Sequence, residues 1–153
     1  MSAFSFGLIA FAHLLGVVLA VPTVLARGLL LRRAHVDTRS KDLALHIDGW
    51  WGLSALVVLP TGLYRVFTLG KGVSFYVNNP YFLAKMAVFG LVFALELWPM
   101  IVLIQERIVM RRGASILTER RARAFAIVSF LQTALLVVAL FCATMMARGV
   151  GQS

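Results

Sequence analysis

Cysteine is nearly absent from the 153-residue sequence: Cys142 stands alone, inside an apolar run. A single cysteine cannot close an intrachain disulfide, and it excludes cysteine-based metal clusters. Charge is scarce too. Asp, Glu, Lys and Arg make up 14% of the chain, where a soluble domain carries about a quarter. There is no Ser-His-Asp combination, metalloprotease motif, internal repeat or low-complexity tract. The glycines of LGKGVSF, Leu69 to Phe75, lack the spacing and the Lys-Ser/Thr ending of a phosphate-binding loop, and read as a turn. The N-terminal stretch has no basic region ahead of it and stays uncharged to Ala26, which suits a retained helix better than a cleaved signal.

What is abundant is apolar. The chain is 61% hydrophobic with a mean hydropathy of +0.90. Composition and length together suit one integral membrane domain, residues 1–153. The net charge of +9 would favour nucleic acid in a soluble protein. Here the basic residues fall between apolar runs, so membrane orientation accounts for them and no nucleic-acid partner is expected.

A crossing needs about 20 residues of helix. Four runs meet that need, with helices expected over about 4–31, 47–68, 80–105 and 121–147. Short connections make them an all-α, antiparallel four-helix bundle. The first connection carries Arg27, Arg32, Arg33, Arg39 and Lys41, and the third carries Arg107, Arg111, Arg112, Arg120, Arg121 and Arg123. Lys and Arg favour the cytoplasmic side, so both termini are expected on the periplasmic side of a bacterial inner membrane. Pro22, Pro60 and Pro99 are candidate kinks. Gly16, Gly52, Gly62 and Gly90 are candidates for close approach by a helix or a flat ligand.

Polar groups inside a bilayer are costly and face the bundle interior or water. On helix 1, His13 and Arg27 are separated by two heptads. On helix 3, Lys85 and Glu96 are separated by nearly three turns, so each pair shares a helix face. Helices 1 and 3 run the same way. Facing each other, they would set His13 near Lys85 at the outer end and Arg27 against Glu96 further in, as a structural ion pair. Two roles suit Lys85: snorkelling to the interface or facing the bundle. Two also suit His13: a hydrogen bond to a neighbouring helix, or ligation of a metal or haem, with Gly16 one turn below leaving room for a porphyrin face. His35 and His46 read as solvated. Met86, Met145 and Met146 read as packing residues, with thioether ligation as the alternative.

The segments HIDGWWGLSALVVLPTGLYRVF, GKGVSFYVNNPYFLAKM and MARGVG resemble a family of small bacterial inner-membrane proteins of unknown function, over nearly the whole chain. More distantly, the four-helix plan is similar to that of HemJ-type protoporphyrinogen oxidases and CopD-type copper-resistance proteins. The HemJ-type likeness implies haem b as cofactor and functional roles for a histidine in helix 1 and a lysine early in helix 3, which fall on His13 and Lys85. The first family often reads LHNP where this chain has Val77-Asn78-Asn79-Pro80. It also tends to carry an acidic residue near Arg27 and none at Glu96, so the charges are exchanged here.

The leading functional expectation is a haem b membrane protein with an electron-transfer or oxidoreductase role. His13 would be an axial ligand, Lys85 would pair with a propionate or a substrate carboxylate, and Arg65 would make a second propionate contact or anchor the interface. The alternative is a non-catalytic subunit or assembly factor, in a homo-oligomer or a larger membrane complex. A third reading, copper handling by His13 and the methionines, predicts bound copper and no haem spectrum.

Overall fold

The computed structural model describes residues 3–34, 37–69 and 77–151. Four long helices account for nearly all of them: α1, Ala3–Leu31; α2, Thr38–Tyr64; α3, Pro80–Met110; and α4, Glu119–Ala147. Each is long and apolar enough to cross a membrane. His35 and, beyond Leu69, the rest of the Leu69–Phe75 turn lie outside the described residues.

Local chemistry sets the ends. Asp37 caps α2 by accepting the Arg39 and Ser40 backbone N–H groups, each at 3.0 Å, and the Ser40 hydroxyl at 2.6 Å. The hydroxyl bond, then the Arg39 N–H, hold its carboxyl below the usual carboxylate range. That stabilisation is present near neutrality and is lost as pH falls through the lowered value. The cap places the start of α2 at Thr38 rather than near residue 47, because its polar first turns are paired rather than broken. Asn79 caps α3 ahead of Pro80, which sits where its missing N–H costs nothing. The α3 helix runs on to Met110 instead of stopping near residue 105, because Glu106 and Arg107 both find partners. Thr118 caps α4, and Glu119 pairs with Arg123 one turn on.

The helices continue through Pro22, Pro60 and Pro99. After Pro60, α2 widens into a π-helical stretch, Arg65–Leu69, that carries Arg65. A C-terminal turn returns to the start of α3, where the buried Asn79 donates from Nδ2 to the Val150 carbonyl at 3.2 Å. Gly151, at φ +81°, lies so close that a Cβ would meet Pro80 at 3.1 Å.

Packing runs α2 on α1, α1 on α4, and α4 on α3, whereas α2 and α3 lack comparable backbone contact. The α1 and α3 helices are therefore diagonal, meeting through side chains across the interior. Gly16 and Gly62 are the close approaches: a Cβ on Gly16 would lie 2.7 Å from Val58 Cγ2, and one on Gly62 would lie 3.0 Å from His13 Cε1. Gly52 and Gly90 do not have this role, since nothing lies within 4 Å of either Cβ position. Gly28 does, against Ser129 and Phe130 of α4.

The distribution of polarity is inverted relative to a soluble protein. Phe4, Phe11, Val18, Leu56, Phe67, Phe93 and Phe141 are exposed, while Arg27, Glu106, Ser129 and Gln132 are fully buried. Large exposed apolar surface of this extent suits hydrocarbon as the solvent. Two apolar layers, one around Val24, Trp51 and Leu136 and one around Leu31, Leu103 and Phe125, bracket a polar layer between them.

Candidate functional site

The polar layer is built around Arg27, whose relative exposure is 0%. All five of its N–H groups are used. Nε donates to Ser129 Oγ at 3.0 Å; Nη1 donates to Asp48 Oδ1 at 2.8 Å and Glu96 Oε1 at 2.7 Å; Nη2 donates to Glu96 Oε2 at 2.8 Å and Gln132 Oε1 at 2.9 Å. Glu96 is thus held bidentately, the strong form of an arginine–carboxylate contact. Arg107 Nη2 donates to the other Asp48 oxygen at 2.7 Å and to the Leu45 carbonyl at 2.6 Å. Gln132 Nε2 closes the ring onto Glu96 Oε2 at 2.9 Å and the Val92 carbonyl at 3.2 Å. Two guanidinium cations face two carboxylates, so the layer carries no net charge. Each helix contributes to it. This is what permits charge so far from water.

The Arg27–Glu96 contact joins the two residues paired on helical periodicity. The periodicity left out Asp48, Arg107, Ser129 and Gln132. Asp48 reads as the end of an apolar run, and its partner Arg107 lies 59 positions away, beyond the reach of local patterning. Ser129 and Gln132 are the legible pair, three residues apart on one face of an otherwise apolar helix.

The second cluster lies toward the end of the bundle that holds the N-terminus of α1. His13 and Lys85 line a single apolar cavity, with Val17 and Ala20 of α1, Trp51, Ala55 and Val58 of α2, and Leu136 and Ala143 of α4. Arg65, in the π-helical stretch after α2, is near enough to His13 and Lys85 for their charges to interact, though it does not line the cavity. Among the described residues His13 Nδ1 lies 3.0 Å from Thr61 Oγ1, which itself donates to the Val57 carbonyl at 2.5 Å. With the threonine proton committed, Nδ1–H donates to the threonine oxygen, and the Val58 backbone is a second hydrogen-bond partner of the ring.

No acidic side chain accompanies these three basic groups. All six in the sequence, Asp37, Asp42, Asp48, Glu96, Glu106 and Glu119, lie in the polar layer or beyond it toward the other end. The contrast with the neutral layer around Arg27 is the main electrostatic feature of the molecule.

A haem is a poor fit to this site. An imidazole suits an iron ligand, but the cavity beside His13 encloses about 90 Å³, against about 300–1,000 Å³ for pockets that hold drug-sized ligands. The space beside Gly16, expected to admit a porphyrin face, is taken by Val58 and the Ser54 carbonyl. Among the described residues no group of three His, Cys, Asp or Glu side chains is placed to hold a metal ion.

Fold and site together define a polytopic membrane protein with a charge-balanced interior and a cationic pocket at one end. A family model described as predicted membrane protein (DUF2214) matches residues 7–151, and the chain belongs to that family. No curated protein matches it, and no solved structure does, so the likeness to HemJ-type and CopD-type proteins gains no support there.

Proposed function

We propose that this protein binds, within the membrane, a carboxylate carried on a single apolar chain. Lys85 and Arg65 hold the carboxylate, His13 orients it, and the end of the chain enters the cavity beside Trp51. The observation that carries this reading is the company of His13, Lys85 and Arg65 without an acidic side chain. Uncompensated cations around an apolar cavity lined by all four helices favour an anion. At about 90 Å³ the cavity takes the end of an apolar chain rather than a macrocycle, the rest of the chain lying against the outside of the bundle. The Lys and Arg bias supports the periplasmic face of a bacterial inner membrane for this end. An alkaline phosphatase fused to the C-terminus is then expected to be active in cells, and a green fluorescent protein fused there to be dark.

The test is fluorescence of Trp51 in a Trp50→Phe, Trp98→Phe background, in nanodiscs titrated with a brominated fatty acid. Saturable quenching is expected, with the affinity reduced about tenfold or more by Lys85→Gln, the scale of one charge-assisted hydrogen bond. The brominated methyl ester should quench as weakly in wild type as the acid does in the variant. Equal quenching by acid and ester would overturn the reading. The haem b expectation has its own arm: a Soret band on haemin addition, lost in His13→Ala, would replace the fatty carboxylate with a tetrapyrrole and require the helices to separate.

A further inference from the structure

The seam between α2 and α3 opens, at the end opposite His13, into a groove of about 600 Å³. Because these helices lack backbone packing, the groove faces outward from the bundle. Arg107 and Arg111 line it from α3; His46, Gly49, Trp50 and Leu53 line it from α2. Arg107 is only partly consumed by the polar layer. Its Nη2 is engaged, but its buried Nε has no hydrogen-bond partner and Nη1 has none among the described residues. Arg111 has no side-chain partner there either. The one acidic side chain on the groove, Asp42, lies 3.8 Å from His46 Nδ1 on its own helix. Gly49 leaves the floor open: a Cβ there would lie 3.8 Å from both Arg107 terminal nitrogens.

We propose that this groove is a binding site for an anionic phospholipid of the surrounding bilayer. The phosphate sits between the Arg107 and Arg111 guanidiniums, whose planar forks match phosphate oxygens. Trp50, more than half exposed beside the groove, offers an indole N–H to the head group and an apolar ring to the acyl chains. Leu53, one turn deeper along α2, meets the acyl chains. Cationic pockets between membrane helices on the positively charged side suit such head groups, and this end carries the larger share of the Arg residues. The site stands independently of the ligand proposed for the His13 end.

The test is native mass spectrometry of the full chain, released from detergent containing equimolar phosphatidylglycerol and phosphatidylcholine. Phosphatidylglycerol should be retained in preference to phosphatidylcholine by about tenfold. Arg111→Gln, which leaves the polar layer untouched, should reduce that preference severalfold. Gly49→Leu, which fills the floor of the groove, should abolish it while the protein remains monodisperse. Equal retention of the two lipids would overturn the proposal, as would an unchanged preference in both variants. Displacement of the bound lipid by millimolar inorganic phosphate alone would also overturn it, assigning the site to a soluble anion.

Discussion

Arg27→Gln is expected to lower the stability of the folded bundle by about 3–5 kcal/mol, the cost of removing one partner from a buried ion pair. The reason is geometric. Five donors on one side chain satisfy four residues from three other helices, and glutamine can replace at most two of those bonds. Asp48 and Glu96 would then share a single cation, Arg107, which reaches only Asp48. Arg27→Lys should fare little better, since an ammonium cannot grip Glu96 through two parallel bonds. Removing Glu96 as well, by Arg27→Gln with Glu96→Gln, restores charge balance and should recover part of the loss. A straight exchange, Arg27→Glu with Glu96→Arg, should not, because it sets a carboxylate beside Asp48. Thermal unfolding in detergent, followed by size-exclusion of the heated samples, ranks the four variants. A stability for Arg27→Gln within 1 kcal/mol of wild type would show that the layer is not what holds the bundle.

The second large effect is expected at Glu106. Its fully buried carboxylate accepts four bonds: Lys41 Nζ at 3.1 Å, Ser115 Oγ at 2.6 Å, and the backbone N–H groups of Ile116 and Leu117 at 2.8 and 2.9 Å. One side chain therefore folds the α3–α4 connection and pins it to the start of α2. Glu106→Ala strands two backbone donors and an ammonium, a loss of about 3 kcal/mol or more when several groups each forfeit a charge-assisted bond. The connection carries Arg111 and Arg112, and Arg120 and Arg121 stand in the first turn of α4, so trypsin reads its release directly. Cleavage there should be at least tenfold faster in Glu106→Ala, with Glu106→Gln between the two. An unchanged cleavage rate would mean that the connection is held by its apolar contacts.

Much of this architecture was legible because a bilayer simplifies the physics. Hydropathy marks the spans, and helical spacing was enough to set Arg27 opposite Glu96 and to bring His13 and Lys85 to one end. Helix limits were less legible, since apolar run length follows the hydrocarbon while the helices themselves extend past it wherever caps and ion pairs permit. Asp37 at α2 and Glu106 at α3 are the cases in point. The contribution of Asp48 and Arg107 escaped for a different reason: a charge at the edge of an apolar run looks solvated until the fold brings its partner from another helix. The glycines mislead in the same way. Gly52 and Gly90 carry the same composition signal as Gly16, and only the packing shows that nothing approaches them.

The unequal sides of the bundle have a mechanical consequence. Three contacts between neighbouring helices are close-packed, while the fourth, from α2 to α3, is spanned by Arg107 on Asp48 and the Leu45 carbonyl, and by Lys41 on Glu106. Attraction between those charges scales inversely with the local dielectric. Water reaching the seam would therefore weaken it, whereas the three close-packed contacts depend on no such attraction. Among the described residues this is the side of the bundle held by charge rather than by packing, and both candidate sites are lined by the two helices that border it.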